Sequence, residues 1–261
     1  MTSDLWTCLK HDWPGAAAGV TQRGSHDPAV PWSGYNMGHT QEADHAVVDA
    51  LRHRALTELA SPFSPRLVCA QQVHGSSAAV ARHTALASLP QSHGVPYCPD
   101  RDALITADPG LALTLFYADC CPIILYSPDP RCGGVAHAGW RGTVADIAGA
   151  TVAALQREFG AQPDELQALV GPCIGVECYE VGPEVVAAAE ATGIASAVCD
   201  VNGSTHLNLL ALNVALLQRA SLAPANIQAL SHCTRCGPVP LFSWRRDGPN
   251  CGRHVAMFTL S

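Results

Sequence analysis

The chain has 261 residues, of which 48% are hydrophobic and 14% are charged, with a formal net charge of −7. These values exclude a disordered chain, and the acidic balance argues against nucleic acid or an anionic membrane as the main partner. No apolar run is long enough to span a bilayer, and the N-terminus lacks the basic and apolar regions of a signal peptide. The sequence therefore predicts a globular cytoplasmic protein whose 12 cysteines are reduced thiols.

Hydrophobic periodicity predicts the first elements of the chain. A helix is predicted over 41–60, ended by Ser61-Pro62, with its apolar residues at helical spacing: Val47, Val48, Leu51, Ala55 and Leu59. Strands are predicted over 66–73 and 102–107, and the long apolar run 111–126 is predicted to be one buried strand. The turn SPDPRCGG then leads into a further strand, VAHAG.

The second half of the chain alternates helices with short strands. A helix is predicted over 143–159, with Thr143 as its N-cap and Gly160 just past its end, followed by helices over 183–192 and 206–220. The last strand is HVAMFTL, and no internal repeat or linker divides the chain. This order predicts a single domain over 1–261, of the α+β class with a mixed sheet.

Three short motifs place an imidazole or a thiol beside small residues: QQVHG (71–75), ADCCP (118–122) and AHAGWRG (136–142). Together, His74, Cys120 and His137 form a set of three protein ligands with one open position, which is typical of a catalytic zinc site. Two alternatives stay open on the residues alone. A histidine in an apolar strand is commonly a core residue, and Cys120 with His137 also fits a cysteine nucleophile and its base.

The turn at 127–134 also predicts which of the two adjacent cysteines faces the ligand site. If the hairpin is centred near Asp129-Pro130, residue 122 lies opposite His137. Neighbouring residues of a strand point to opposite faces. Cys120 is then on the face of His137, and Cys121 points into the core.

A CxxC pair at 233–236 is interpreted differently. A structural zinc site needs a second pair, none has the right spacing, and Gly237-Pro238 follows where a redox motif would open a helix. The sequence therefore predicts no metal at this pair. Walker A, dinucleotide-binding and Gly-x-Ser-x-Gly motifs are also missing from the sequence.

Further motifs extend over nearly the whole chain: TQRG (21–24), GYNMG (34–38), DALIT (102–106), ADCCPIIL (118–125), GGVAHAGWRGT (133–143), GPCIGVECYEVGPEV (171–185) and FSWRRDGPNCGR (242–253). In this combination the chain resembles the laccase-domain or multicopper polyphenol oxidase family, now regarded as zinc-dependent purine nucleoside phosphorylases. The chain departs from the family at 24–28, where GSHDP replaces a second glycine and a serine-rich loop.

The resemblance implies a fold, a metal and an activity. It implies one α+β domain with mixed sheets packed together and flanked by helices, and metal ligands at His74, Cys120 and His137, which are also the expected catalytic residues. The expected metal is zinc, with copper as the alternative. The expected activity is phosphorolysis of adenosine, inosine, guanosine and methylthioadenosine, with adenosine deamination as a second reaction.

The expected substrates are therefore a purine nucleoside and phosphate. Fourteen of the 15 basic residues are arginines, so an anion is expected to be bound by guanidinium groups. Arg23 and Arg141, which lie in glycine- or tryptophan-flanked loops, are the candidates for phosphate. Asn36 and Asp119 are candidates for orienting the substrate.

Other functions remain open at this stage. Family members have been reported as copper-dependent phenol oxidases and as peptidoglycan-editing factors. A copper-dependent phenol oxidase is disfavoured, because an enzyme with several copper centres needs many histidine ligands and the sequence has no His-x-His pair. A cysteine hydrolase using Cys120 and a non-enzymatic, metal-bearing interaction protein complete the hypotheses. The sequence leaves the preferred nucleoside and the oligomeric state open.

Overall fold

Two mixed β-sheets, lying face to face, carry most of the strands. The computed structural model describes residues 5–6, 9–39 and 43–261. The strands in chain order are β1 (Leu9–Trp13), β2 (Ala16–Val20), β3 (Arg66–Ala70), β4 (Ala78–Val80), β5 (Gln91–Ser92), β6 (Val95–Cys98), β7 (Ala103–Thr106), β8 (Leu111–Tyr117), β9 (Cys121–Pro128), β10 (Arg131–Ala138), β11 (Gln167–Val170), β12 (Val198–Val201), β13 (Ser204–Leu207), β14 (Ile227–Ala229) and β15 (His254–Leu260). The helices are α1 (His45–Ala60), α2 (Trp140–Val144), α3 (Ile147–Phe159), α4 (Pro183–Glu190), α5 (Leu209–Arg219) and α6 (Trp244–Asp247).

Each of the two large sheets mixes parallel and antiparallel pairs. The first sheet has the order β1-β2-β15-β8-β3-β6-β5, and only β3 pairs in parallel with its two neighbours. The second has the order β14-β11-β9-β10-β7-β4, with parallel pairs at its two ends. Strands β12 and β13 form a separate hairpin. The predicted α+β class with packed mixed sheets flanked by helices is confirmed.

The core between the sheets follows from the two-residue period of the strands. In β15, Ala256 and Phe258 face the second sheet, whereas Val255 and Met257 face the opposite way. Both faces of such a strand are buried, which explains its nearly continuous apolar sequence. Each buried side chain of the size of Phe258 stabilises the fold by about 1.5–3 kcal/mol.

Helices cover the outer face of each sheet. Residues Ala55 and Leu59 of α1 pack on the outer face of the first sheet, beside Met257. Helices α3 and α5 pack on the outer face of the second, where they bury Leu155 and Leu216. The chain is therefore layered as helix, sheet, sheet and helices.

One glycine is required where the sheets approach each other. A Cβ atom on Gly133 of β10 would lie 2.3 Å from the Phe258 ring and 2.5 Å from the carbonyl oxygen of Leu125. Because neither neighbour can move out of a packed core, any side chain here would separate the two layers.

The predicted strand 111–126 was wrong in its extent. It is two strands, β8 in the first sheet and β9 in the second, and the chain crosses between the sheets at 118–120. Asp119 has φ 86° at this crossing, a left-handed conformation that ends a strand. Hydrophobicity alone did not show the break because both strands are buried on both faces.

The helix predicted over 143–159 was also wrong at its start. Residues Trp140–Val144 form the short helix α2, and α3 begins separately at Ile147. Asp146, not Thr143, is the N-cap, and its carboxylate accepts a hydrogen bond from the backbone N–H of Gly149. Gly160 ends the helix in a left-handed conformation, as predicted.

Other element boundaries move by a few residues. The strand predicted over 66–73 ends at Ala70, and helix α5 begins after its N-cap Asn208 rather than at 206. Helix α1 begins after the N-cap Asp44; positions 41–42 of that prediction lie outside the described residues. Val47, predicted for the apolar face of α1, is 53% exposed. No helix in the described ranges is long and apolar enough to cross a membrane.

We predict an acid-sensitive contribution to stability from His254. This imidazole is fully buried against the Tyr117 ring, and both of its nitrogens lack a hydrogen-bond partner among the described residues. Burial, with a smaller contribution from Arg253, lowers the pKa of His254 to about 3. The unfolded chain therefore binds one more proton than the folded chain between about pH 3 and 6.5.

The stabilisation from neutral His254 is complete above pH 6.5 and is lost as the pH falls towards 3, at no more than about 1.4 kcal/mol per pH unit. The variant His254→Phe removes this proton, so its free energy of unfolding should fall less steeply between pH 6.5 and 4.5 in urea titrations. The matched control is His53→Phe, on the exposed face of α1. An unchanged slope in His254→Phe would contradict the prediction.

Candidate metal centre

The three predicted ligands come together where the chain passes between the sheets. His74 lies on the crossing from β3 to β4, and Cys120 lies on the crossing from β8 to β9. His137 lies near the end of β10. Their ligand atoms are all within 4.8 Å of one another. The two imidazole rings are 4.8 Å apart between centroids and nearly perpendicular.

The β9–β10 hairpin has the predicted register. His137 of β10 pairs with Pro122 of β9, so Cys120 lies two residues beyond the pairing position. Cys121 is fully buried in the core beside Ile123, on the opposite side from the cavity that Cys120 lines. The structure thus distinguishes two adjacent cysteines, one at the centre and one in the core.

Asp102 organises two of the three ligands. Its carboxylate accepts hydrogen bonds from the backbone N–H groups of residues 73–75, at 2.7–3.1 Å. It also accepts one from Nδ1 of His137 at 2.8 Å, which leaves Nε2 of that ring for a ligand. This carboxylate–histidine pairing fixes the tautomer and the orientation of a metal-binding imidazole.

Asp102 itself is fully buried. Burial raises the pKa of its carboxyl, but the hydrogen bonds from His137 and from the backbone of Gly75 and Val73 outweigh burial and lower it. The carboxylate therefore stays ionised, and the negative charge is available to the imidazole of His137.

The thiol of Cys120 and the imidazole of His137 also shift each other's pKa. Burial raises the pKa of Cys120, but the neighbouring imidazoles of His137 and His74 lower it to about 6. Burial lowers the pKa of His137, whereas Cys120 and Asp102 raise it to about 9. The environment therefore favours the thiolate form of Cys120, which is the form that binds metals and acts as a nucleophile.

The ligand set fits a metal ion. A Cβ atom on Gly139 would lie 2.9 Å from the His74 ring and 3.0 Å from Sγ of Cys120, so only glycine leaves this space clear. Two imidazoles and one thiolate, with an oriented second ligand shell, make a three-residue site with an open position.

The centre opens into a cavity of about 630 Å³. Its wall combines aromatic and cationic side chains: Phe116, Trp140, Arg141, Tyr179, Trp244, Arg245 and Arg253. The guanidinium of Arg141 lies 4.2 Å from the Trp140 ring centroid, and that of Arg245 lies 5.2 Å from the Tyr179 ring. Such a site suits a flat, partly apolar ligand that carries negative charge.

Two of the predicted substrate residues also line this cavity. Arg141 makes no hydrogen bond to a protein acceptor within the described part of the chain, so its donors are available. Asp119 is 8% exposed, and both of its carboxylate oxygens are engaged. They accept from Oγ1 of Thr234 at 2.5 Å and from the backbone N–H of Arg245 at 2.7 Å. Asp119 therefore holds the cavity wall in place.

Asn36 lies behind the cavity wall. Its Oδ1 accepts hydrogen bonds from the backbone N–H groups of Gly38 and Arg253, both at 2.8 Å. Arg253 lines the cavity, so Asn36 holds the backbone of a cavity-lining residue.

The structure does not bring Arg23 to the cavity. Its side chain is 2% exposed, and Nη1 pairs with Asp247 at 3.1 Å. Nε donates to the carbonyl oxygen of Ser33, and Nη2 donates to those of Val30 and Pro31. Since these donors are used inside the protein, Arg23 holds the loop 30–33 in place, and we do not retain it as a phosphate ligand.

Some site residues were not identified from the sequence. The sequence shows Asp102 only as part of the DALIT motif. Nothing in a strand pattern indicates that its carboxylate accepts a hydrogen bond from the backbone of His74, 28 residues earlier. Tyr179 and Trp244 were likewise seen only within motifs. The aromatic character of the motifs was the one available signal.

Comparisons with known proteins identify the family of this chain and agree with its fold. Residues 17–261 match the family described as multi-copper polyphenol oxidoreductase laccase. The chain is similar to purine nucleoside phosphorylase YlmD of Geobacillus stearothermophilus, with 32% identity over 95% of this chain and 92% of that protein. It is also similar to adenosine deaminase RL5 of an unknown prokaryotic organism, with 37% identity over 92% of each.

The fold is shared with a solved relative. The crystal structure of YlmD from Geobacillus stearothermophilus aligns with a TM-score of 0.83 and 31% identity, over 94% of this chain and 92% of that one. The site and fold together define a protein with a histidine–cysteine centre between two packed sheets. The chain belongs to the multi-copper polyphenol oxidoreductase laccase family.

We predict that the two adjacent cysteines are not interchangeable. Cys120→Ala should lose the metal of this centre, because one of three ligands is removed. Cys121→Ala should keep that metal and lose about 1 kcal/mol of stability, because it creates only a small space in the core. Metal per chain relative to the wild type and urea midpoints measure the two effects. Loss of this metal from Cys121→Ala alone would contradict the observed register.

Proposed function

We propose that this chain, acting as a single domain, is a zinc-dependent purine nucleoside phosphorylase. Its proposed substrates are adenosine, inosine, guanosine and methylthioadenosine, and adenosine deamination is a second reaction. The observation that carries the proposal is the placement of the three-ligand centre at the floor of a cavity with aromatic and cationic walls. Similarity to proteins named purine nucleoside phosphorylase and adenosine deaminase supports it.

The aromatic part of the wall suits a purine. Phe116, Trp140 and Trp244 offer flat apolar surfaces, on which a planar base can stack. Tyr179 lines the same cavity, and burial raises the pKa of its phenol. The phenol therefore stays protonated and can donate a hydrogen bond to a purine nitrogen.

The cationic part of the wall suits phosphate. In phosphorolysis, a phosphate oxygen forms a bond to C1′ of the ribose, while the bond from C1′ to the purine nitrogen breaks. Arg141 is our proposed phosphate ligand, because its guanidinium is free of protein acceptors in the described ranges and offers paired donors. Stacking on Trp140 limits the orientations that this guanidinium can adopt.

The two histidines and Cys120 fit zinc, since zinc favours mixed imidazole and thiolate ligands in a site with one open position. When bound, zinc supplies positive charge that can polarise an oxygen of phosphate or of water. Asp102 keeps His137 in the tautomer whose Nε2 faces the centre. Asp119 holds the loop that carries Arg245 at the cavity wall.

A cysteine hydrolase is the second candidate, favoured by one observation. Cys120, His137 and Asp102 form a nucleophile, a base and a carboxylate in sequence, and the pKa of Cys120 is lowered to about 6. The two candidates differ in their need for His74. A cysteine nucleophile needs one imidazole as its base, which His137 supplies beside Asp102, whereas the zinc centre requires both imidazoles.

The first test is phosphate dependence. The purified protein should release hypoxanthine from inosine only when phosphate is present. In Arg141→Ala the KM for phosphate should rise roughly 10- to 100-fold, the loss expected for a hydrogen bond to a charged group. The KM for inosine should change little. Arg157→Ala, at the exposed end of α3, is the matched control. Equal increases in both KM values would show that Arg141 has a structural role.

The second test separates the two candidates. His74→Ala should lower kcat/KM for phosphorolysis by more than about 100-fold and reduce zinc per chain, because a ligand is lost while the fold is kept. Circular dichroism checks the fold. His83→Ala, in an exposed turn, is the control for removing an imidazole. Full phosphorolysis by His74→Ala without the zinc of this centre would contradict the zinc mechanism, and phosphate-independent hydrolysis retained in His74→Ala would favour the hydrolase.

A further inference from the structure

A second group of metal-binding side chains lies outside the centre described above. Cys178 ends the short turn Val176–Cys178, and Cys233 and Cys236 belong to the CxxC pair. The three sulfur atoms lie within 4.8 Å of one another, and those of Cys178 and Cys236 are 3.3 Å apart. We call these residues the three-cysteine cluster. The sequence indicated no metal here because the third ligand is 55 residues away from the pair.

The backbone of the CxxC pair is shaped to present both thiols on one side. The N–H of Gly237 donates to the carbonyl oxygen of Cys233 at 2.9 Å and closes the turn. A Cβ atom on Gly237 would lie 2.5 Å from that oxygen, so the turn requires glycine directly after the pair. Arg246 donates to the carbonyl oxygens of Thr234 and Arg235, the two residues between the cysteines.

The sulfur of Cys233 is surrounded by hydrogen-bond donors. The backbone N–H of Gly175 lies 3.2 Å from it, and those of Arg235 and Cys236 also donate to it. Three N–H groups directed at one sulfur stabilise a thiolate, the form that binds a metal. Similar hydrogen bonds accompany the ligands of most metal centres.

From this geometry we infer that Cys178, Cys233 and Cys236 form a second metal site for a thiophilic cation, of the kind that zinc occupies. Three thiolates supply three of four tetrahedral positions. Cys236 is exposed, so the fourth position faces solvent and can be filled by water. A disulfide between Cys178 and Cys236 would leave the sulfur of Cys233 outside the bonded pair, whereas a metal ion can bind all three sulfurs.

The position of the cluster indicates what it stabilises. Tyr179, directly after Cys178, lines the cavity, and Thr234, directly after Cys233, donates to Asp119. The metal therefore joins two separate segments of the cavity wall. This is the role of a structural site, and it is independent of the reaction carried out in the cavity.

Metal analysis of Cys120→Ala is the decisive experiment, because this variant lacks a ligand of the first centre and keeps all three cysteines of the cluster. After loading with zinc and dialysis, it should retain about one zinc per chain. The further change Cys236→Ser should abolish that zinc. Cobalt in Cys120→Ala should show thiolate-to-metal charge-transfer absorption, which is lost in the double variant. Cys199→Ser, in the β12 hairpin, is the matched control.

Cys236→Ser could lose zinc by misfolding, so a second measurement uses a variant in which all three cysteines of the cluster are kept. In Cys120→Ala, zinc should protect exposed Cys236 from alkylation by iodoacetamide, as mapped by mass spectrometry. Absence of zinc from Cys120→Ala, unprotected Cys236 in the presence of zinc, or a Cys178–Cys236 disulfide in protein kept with a reductant would each overturn the inference. None of these outcomes bears on phosphorolysis.

Discussion

The buried carboxylate of Asp102 is the interaction on which the rest of the site depends. Where the chain leaves β3, the sheet no longer supplies acceptors for its N–H groups, and unpaired buried donors are costly. Asp102 supplies the missing acceptors for residues 73–75 and, with the same group, holds the ring of His137. One ionised carboxylate thus accepts the N–H groups that follow the end of β3. The same carboxylate positions two ligands and places negative charge beside the centre.

The layered fold explains why the ligands meet at this place. Two crossings from the first sheet to the second carry His74 and Cys120, and a strand of the second sheet carries His137. Strand interiors are filled by apolar packing, so polar ligands fit where strands end. Left-handed residues mark both crossings, with φ 60° at His74 and φ 86° at Asp119. Such conformations persist only where surrounding contacts hold them, as the bonds to Asp102 and Thr234 do here.

Much of this arrangement could be predicted from local pattern. The turn residues around Asp129-Pro130 were enough to align His137 with Pro122 and to separate Cys120 from Cys121. The α+β class followed from the alternation of helices and strands. Local pattern failed where a long-range contact decides the outcome. The division of 111–126 into two strands, the role of Asp102 and the approach of Cys178 to the CxxC pair each depend on residues distant in sequence. The burial of Arg23 depends on Asp247, 224 positions later.

The crossings have a mechanical consequence. The two crossings each carry one ligand, and a strand of the second sheet carries the third. An ion bound to all three would therefore link the two sheets where the chain crosses between them. Sliding of one sheet over the other would separate the ligands, so binding energy is released only in one alignment of the layers. By mass action, an ion that binds the aligned state alone stabilises that alignment in proportion to the logarithm of its concentration. An ion bound at this centre would therefore add to the stability of the one register in which the two sheets bring its ligands together.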